Sequence, residues 1–443
     1  MYLHGTSKVN AQGHLEIGGV DTTELAQQFG TPLYIVDEAL VRQRASEYVE
    51  AFKASGLKFQ VAYASKAFSV MAMCVIAEQE GLSLDVVSDG ELYTALQAGF
   101  PAERIHFHGN NKTPEEINTA LEAGIGCFVV DNFTELHLLN ALAAEKGQTV
   151  KILLRITPGV EAHTHEYIST GQQDSKFGFD LANGAAKQAI SEAIKLANLD
   201  VLGVHSHIGS QIFEVDGFRA AVDKVAEFAV QIRDELGLTF KVINLGGGFG
   251  IRYVEGDTPL PVSKYVGAIT DAIITNFTAA NFPLPEIWVE PGRSMVGDAG
   301  TTLYTVGTTK DIPGVRKYIA VDGGMTDNPR PALYQSRYEA ILANRANEAN
   351  EETVTIAGKA CESGDKLIID LELPKANIGD LLAVFCTGAY NYAMASNYNR
   401  IRRPAVVFVK DGQADLVVKR ESLENIVSND VIPARLSKAP LAK

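Results

Sequence analysis

From residue 57 onward the chain alternates short, β-rich apolar runs with longer stretches of helical periodicity, and this pattern confines it to βα units built around a parallel sheet. Eight such runs can be read, at roughly 59–64, 82–87, 104–108, 125–130, 150–156, 201–206, 240–245 and 286–289. Helical patterns fall between them, among them 114–123, 183–197 and 218–236. Eight units favour a closed (β/α)₈ barrel over an open doubly wound sheet.

After Pro291 the helical pattern gives way to strands, at 303–308, 317–321, 353–357, 366–371 and 381–386. Two further runs, 405–409 and 416–419, flank Asp411-Gly412, a residue pair suited to a tight hairpin turn. The alternating stretch 14–17 precedes the first barrel unit, so the N-terminal segment is expected to pair into this second, mostly β domain. The expected organisation is α/β: an N-terminal segment 1–37 joining the β domain, a TIM-like barrel over 38–290, and a C-terminal β domain over 291–443.

Bulk composition narrows the class. At 443 residues, 46% hydrophobic and 21% charged, the chain has the balance of a multidomain globular protein with a large core. A net charge of −15 with no basic run would repel a phosphate backbone, so no nucleic-acid partner is expected. The start Met1-Tyr2-Leu3-His4-Gly5 lacks the basic and apolar regions of a signal peptide, and no run reaches membrane-spanning length; the expectation is a cytoplasmic protein with no membrane partner. Cys74, Cys127, Cys361 and Cys386 are widely spaced without a C-x-x-C pair, which speaks for thiols rather than a disulfide frame or a zinc site.

Barrel active sites lie at the C-terminal ends of the strands, so polar residues closing the apolar runs are the candidates. Here they are Lys66, Asp85, His108, Arg155, His207, the Gly246-Gly247-Gly248 run and Glu290. Any one alone is usually a solvated or capping residue; their convergence on one rim is what gives them weight. A lysine amine after strand one and a carboxylate after strand eight can hold the two ends of a pyridoxal phosphate ring. The lysine would form a Schiff base with the aldehyde, and Glu290 would keep the pyridine nitrogen protonated.

The glycine run follows strand seven, where bare N–H groups can close on phosphate oxygens, and Glu290-Pro291-Gly292-Arg293 offers Arg293 as an anion partner after strand eight. In His205-Ser206-His207-Ile208-Gly209-Ser210, His207 is expected to stack on the cofactor ring and Ser210 to meet the phosphate. His205 reads as a core histidine. Two histidines at i and i+2 could ligate a metal, but no acidic or cysteine partner is near in sequence, so none is expected.

Taken together, Tyr63-Ala64-Ser65-Lys66-Ala67, His207-Ile208-Gly209-Ser210-Gln211, Gly246-Gly247-Gly248, Glu290-Pro291-Gly292-Arg293, Cys361-Glu362-Ser363-Gly364-Asp365 and Gly388-Ala389-Tyr390 resemble the alanine-racemase-fold amino acid decarboxylases, most of all those acting on diaminopimelate. The resemblance spans about residues 15–420 and includes His163-Thr164-His165-Glu166-Tyr167 and Ser175-Lys176-Phe177-Gly178. It implies pyridoxal 5'-phosphate as cofactor and a homodimer with active sites shared across the interface. Lys66 and Cys361 are then the catalytic residues, Cys361 serving the neighbouring subunit. Asp85, His207, Ser210, Gly248, Glu290, Pro291, Gly292, Arg293 and Tyr390 match cofactor contacts; Arg293, Arg330, Tyr334, Glu362 and Tyr390 match substrate contacts. The resemblance also implies decarboxylation of meso-2,6-diaminopimelate to L-lysine, the last step of bacterial lysine synthesis, because Arg330 with Tyr334 can take a distal carboxylate and Glu362 a distal ammonium. Alternatives are a decarboxylase of ornithine, arginine or carboxynorspermidine, or a non-catalytic regulator of the same fold. One departure is Ser88-Asp89-Gly90-Glu91, where the family commonly has S-G-G-E; Asp89 is expected to act there as a helix N-cap.

Overall fold

In a computed structural model, residues 2–160 and 175–436 are described; the His163–Tyr167 motif lies outside them. Three short strands, β1 (Lys8–Val9), β2 (Leu15–Ile17) and β3 (Val20–Asp21), form a small antiparallel sheet of their own, and β4 (Leu33–Asp37) follows. The barrel comprises β5 (Phe59–Ala64), β6 (Ser83–Val86), β7 (Ile105–Phe107), β8 (Cys127–Val130), β9 (Val150–Thr157), β11 (Leu199–His205), β12 (Val242–Asn244) and β13 (Glu286–Val289), with the two-residue β10 (Phe179–Asp180) as a parallel spur on β9. Every barrel pairing is parallel, and β13 returns to β5 with Ile287 opposite Phe59 and Val289 opposite Val61, so the sheet closes. Core-facing and helix-facing positions are both covered in such a sheet, which is why strands such as Cys127–Val130 are apolar and buried at every residue.

The connecting helices carry their own start and stop signals. The helix Pro114–Ala123 begins with a reciprocal capping box between Thr113 and Glu116, has Pro114 in its first turn, and ends at Gly124 with φ 69°. The predicted helix at 183–197 is shorter, Ala185–Ala193. At the departure from the family pattern, Ser88 rather than Asp89 is the N-cap: its side chain accepts from the Glu91 N–H, and Asp89 is the first helical residue. An acid there still opposes the positive end of the helix, so its effect is local.

The second sheet contains β14 (Gly300–Ile312), β15 (Arg316–Val321), β17 (Glu352–Ala357), β18 (Lys366–Leu373), β20 (Ala405–Lys410) and β21 (Gln413–Val418), with β16 (Ala340–Leu342) and β19 (Leu381–Phe385) paired alongside β14. The hairpin β20–β21 turns at Asp411 and Gly412, both at positive φ, 51° and 79°, as a two-residue primed turn requires. The N-terminal segment joins this sheet, but not through residues 14–17. It is β4, buried at all five positions, that runs between β14 and β20, antiparallel to one and parallel to the other. A strand buried on both faces does not alternate, so β4 carries no amphipathic signal, whereas 14–17 does. The barrel and the β domain each have their own apolar cluster.

Candidate active site

Lys66 sits in a single 3₁₀ turn, Ser65–Ala67, that terminates β5. The turn is pinned from both sides. Ser65 Oγ donates to the Asp85 carbonyl at 2.6 Å on the neighbouring strand end, and Ala67 O accepts the Tyr390 N–H at 2.8 Å from the β domain. Ser65 and Ala67 are buried while the Lys66 side chain is exposed, into a cavity of about 850 Å³ between the barrel mouth and the β domain. Tyr390 holds its place with φ 62°, a left-handed conformation that non-glycine residues adopt at a cost, here offset by that backbone bond.

Glu290, one residue past β13, closes the strand that pairs with β5 and lines the same cavity. Its Oε1 accepts from Asn244 Nδ2 at 2.5 Å and lies 3.2 Å from His108 Nε2, and its Oε2 meets His205 Nε2 at 3.2 Å. Burial alone would raise the carboxyl, but the two histidines outweigh it and hold Glu290 well below the usual carboxylate range. His108 is the cationic member. Burial disfavours its charge, yet Glu290 and Asp85, the latter 3.5 Å away, bring its pKa up to about 9. His205 shifts down, burial being the leading cause. Glu290 is therefore an anion in a dry wall, available to a protonated ring nitrogen.

His205 is buried, 1% exposed, as a core histidine is, and its partner is Glu290, on the wall of the cavity. The fold thus brings an acidic group to the histidines. His108, His205 and Glu290 offer ligand atoms within 4.8 Å of one another, although they are far apart in sequence. Strand-end His108 and Asn244 are the further residues of this wall; His108 was visible as a run-closing residue, whereas Asn244 carried no signal of its own.

His207 is half-buried, and desolvation, then Lys66 and Arg155, push its imidazole well below the ordinary range, so it is neutral. Its Nδ1 accepts the Gly247 N–H at 3.2 Å, which leaves the flat neutral ring facing the cavity. The glycine run is tightly confined: a Cβ on Gly247 would stand 2.2 Å from the Glu290 carbonyl oxygen, and one on Gly248, at φ 100°, 2.4 Å from the Gly209 carbonyl oxygen. Bare backbone is required there, and it lines the cavity beside Ser210 and Arg293. Arg293 donates to Tyr253 Oη at 2.6 Å and to Ser210 Oγ at 3.0 Å, stacks over the Tyr390 ring at 4.7 Å, and keeps a buried Nε without a partner among the described residues.

Of the other sequence candidates, Asp85, Gly292, Arg330 and Tyr334 also line the cavity. Pro291 does not; its carbonyl accepts the Ala64 N–H at 3.2 Å and ties β13 to the Lys66 turn. Cys361 and Glu362 are not part of this chain's own cavity. They sit exposed on a β-domain turn held by the Cys361 N–H on Asn399 Oδ1 at 2.7 Å and by the buried Asp365 carboxylate, which accepts the Met325 and Ala360 N–H groups. All four cysteines are free.

An amine, an anionic carboxylate in the same cavity, a neutral planar imidazole, and an arginine, serine and glycine end are the donor set that pyridoxal phosphate requires. The comparisons agree. The model of the pyridoxal binding domain of pyridoxal-dependent decarboxylases matches residues 38–297. The chain is 63% identical over 97% of its length to the diaminopimelate decarboxylase of Bacillus subtilis, covering 98% of that protein, and 50% identical over 96% to that of Staphylococcus aureus, covering 99%. A crystal structure of diaminopimelate decarboxylase from M. jannaschii in complex with L-lysine superposes with a TM-score of 0.92 at 38% identity, covering 98% of this chain and 99% of that one. The chain belongs to the pyridoxal-dependent decarboxylase family and groups there with the diaminopimelate decarboxylases.

Proposed function

We propose that this carboxy-lyase binds pyridoxal phosphate and converts meso-2,6-diaminopimelate to L-lysine and CO₂, the closing step of lysine synthesis, in the cytoplasm and as a homodimer with shared sites. The observation that carries it is Lys66, making no ion pair or hydrogen bond with the described residues, in one cavity with a Glu290 held anionic by His108, His205 and Asn244. No helix among the described residues is long and apolar enough to cross a membrane.

When bound, the cofactor supplies an aldehyde that captures the substrate amine and a ring that accepts the electrons left by departing CO₂. Lys66 would hold the aldehyde end. Glu290 would hold a proton at the ring nitrogen, because an ionised carboxylate hydrogen-bonded by Asn244 and His205 and paired with the His108 cation favours the pyridinium form. His207 presents its neutral face to the ring. Arg293, Ser210 and the Gly248 backbone would receive the phosphate dianion through charge-assisted bonds.

Arg330 is buried and anchored on Tyr338 Oη at 2.7 Å, which orients its guanidinium as a carboxylate clamp beside Tyr334 and Tyr390. A buried cation there favours a substrate with a distal carboxylate and disfavours ornithine or lysine, whose distal group is an ammonium. Cys361 of a second subunit would return a proton to Cα, and its neighbour Glu362 would bind the distal ammonium. Their exposure on this chain's surface, outside its own cavity, supports a role across an interface. The direct test is incubation of the purified protein with pyridoxal phosphate and meso-diaminopimelate, followed by measurement of CO₂ and lysine. Release of CO₂ from ornithine at a comparable kcat/KM would overturn the substrate assignment.

A further inference from the structure

Two arginines of the cavity, Arg293 and Arg330, are both held by one residue that no motif marked. Tyr253 follows the glycine run, is 6% exposed, and accepts a 2.6 Å bond from Arg293 at its hydroxyl. Its ring packs most closely against Arg330, with the guanidinium carbon 4.9 Å from the ring centroid against 5.8 Å for that of Arg293, and meets Tyr338 edge-on at 5.6 Å. Tyr338 in turn accepts from Arg330. Two like charges this close to one tyrosine would repel each other; the hydroxyl of Tyr253 accepts from one and its π face meets the other, which stabilises both.

The placement of Tyr253 is set from behind. Its own N–H and that of Val254 donate to Asp257 Oδ2 at 2.9 and 3.1 Å, which fixes the loop. The preceding residue, Arg252, makes a bidentate pair with Glu339 at 3.0 and 2.9 Å, and Glu339 is the neighbour of Tyr338. Arg252–Glu339 on one side and Tyr253–Tyr338 on the other thus clasp the barrel loop to the β domain.

We propose that Tyr253 is a positioning residue that sets the separation between the phosphate-end Arg293 and the substrate-end Arg330, through two separable parts: its hydroxyl orients Arg293 and its ring orients Arg330. The inference rests on the functional reading above, which gives each arginine its ligand. The two parts make distinct predictions, which a merely structural residue would not. Tyr253→Phe removes the hydroxyl alone, so the cofactor should bind about tenfold or more weakly, the expected size for losing a bond to a charged group, while KM for diaminopimelate at saturating cofactor stays as in the parent. Tyr253→Leu also removes the ring, and KM should then rise by about 3- to 30-fold, the range of a buried cation–π contact.

The experiment is a spectroscopic titration of cofactor-free parent, Phe and Leu proteins with pyridoxal phosphate, joined to steady-state kinetics on diaminopimelate at saturating cofactor. Weakened cofactor binding in both variants, with KM raised in the Leu variant only, supports the inference. Unchanged cofactor affinity in Tyr253→Phe, or equal KM changes in both variants, overturns it while the functional reading stands. A parent protein that binds no pyridoxal phosphate overturns the functional reading itself. Should Tyr253→Leu fail to fold, the Phe variant decides alone through its affinity and KM.

Discussion

Replacing His108 with Gln tests the electrostatics that keep Glu290 ionised. In the folded chain the His108 imidazolium is wedged between Glu290, 3.2 Å away, and Asp85, 3.5 Å away, and its pKa is raised to about 9 from 6.5. At ~1.4 kcal/mol per pH unit, that difference corresponds to ~3 kcal/mol of folding stability. The sign follows from which state binds the proton. Below about pH 6.5 both the folded and unfolded chains hold it and the contribution is fully present. Between about 6.5 and 9 only the folded chain holds it, so stability falls as pH rises and the contribution is gone above the folded pKa. The assay is urea unfolding of cofactor-free parent and His108→Gln proteins from pH 6 to 10, taking the difference between them so that groups common to both cancel. The parent should lose ~3 kcal/mol relative to the variant across this window. A difference that does not change with pH would refute the assignment of the charge to His108.

Lys66→Ala should abolish turnover and the absorbance band of lysine-bound cofactor while leaving the thermal midpoint nearly unchanged, since the side chain points into the cavity; a borohydride-reducible cofactor adduct in the variant would count against Lys66. Mixed dimers of Lys66→Ala and Cys361→Ala chains should regain part of the parent activity, because one hybrid site then contains both groups, and no recovery despite demonstrated subunit exchange would sink the shared site. Arg330→Ala should lower kcat/KM for diaminopimelate by about one to two decades, the size of a lost charge-assisted contact, without harming any residual turnover of lysine or ornithine; unchanged diaminopimelate kinetics would remove Arg330 from the substrate clamp.

Much of the barrel was legible because its strands are local objects. A run such as Phe59–Ala64 or Cys127–Val130 is apolar wherever the sheet covers both faces, and the helix Pro114–Ala123 carries its cap, its proline and its terminal glycine within a dozen residues. The residues that end these runs, Lys66, His207 and Glu290 among them, are legible for the same reason. β4 was not, since five residues buried between β14 and β20 give no alternation, and their pairing depends on strands that lie 260 residues or more further along the chain.

The sequence by itself determined which chemical groups this protein could bring to a barrel rim: an amine, a carboxylate, imidazoles, an arginine and a glycine turn. Tertiary structure decided what those groups are. Closure of the barrel sets His108, His205 and Asn244, from three different strands, around Glu290, and only their mutual distances make Glu290 an anion and His108 a cation. It gave the buried His205 Glu290 as its partner, and it left Cys361 and Glu362 on the outer surface of their own chain. Charge state depends on separations of a few ångströms in a dry interior, and spacing along a chain does not encode them.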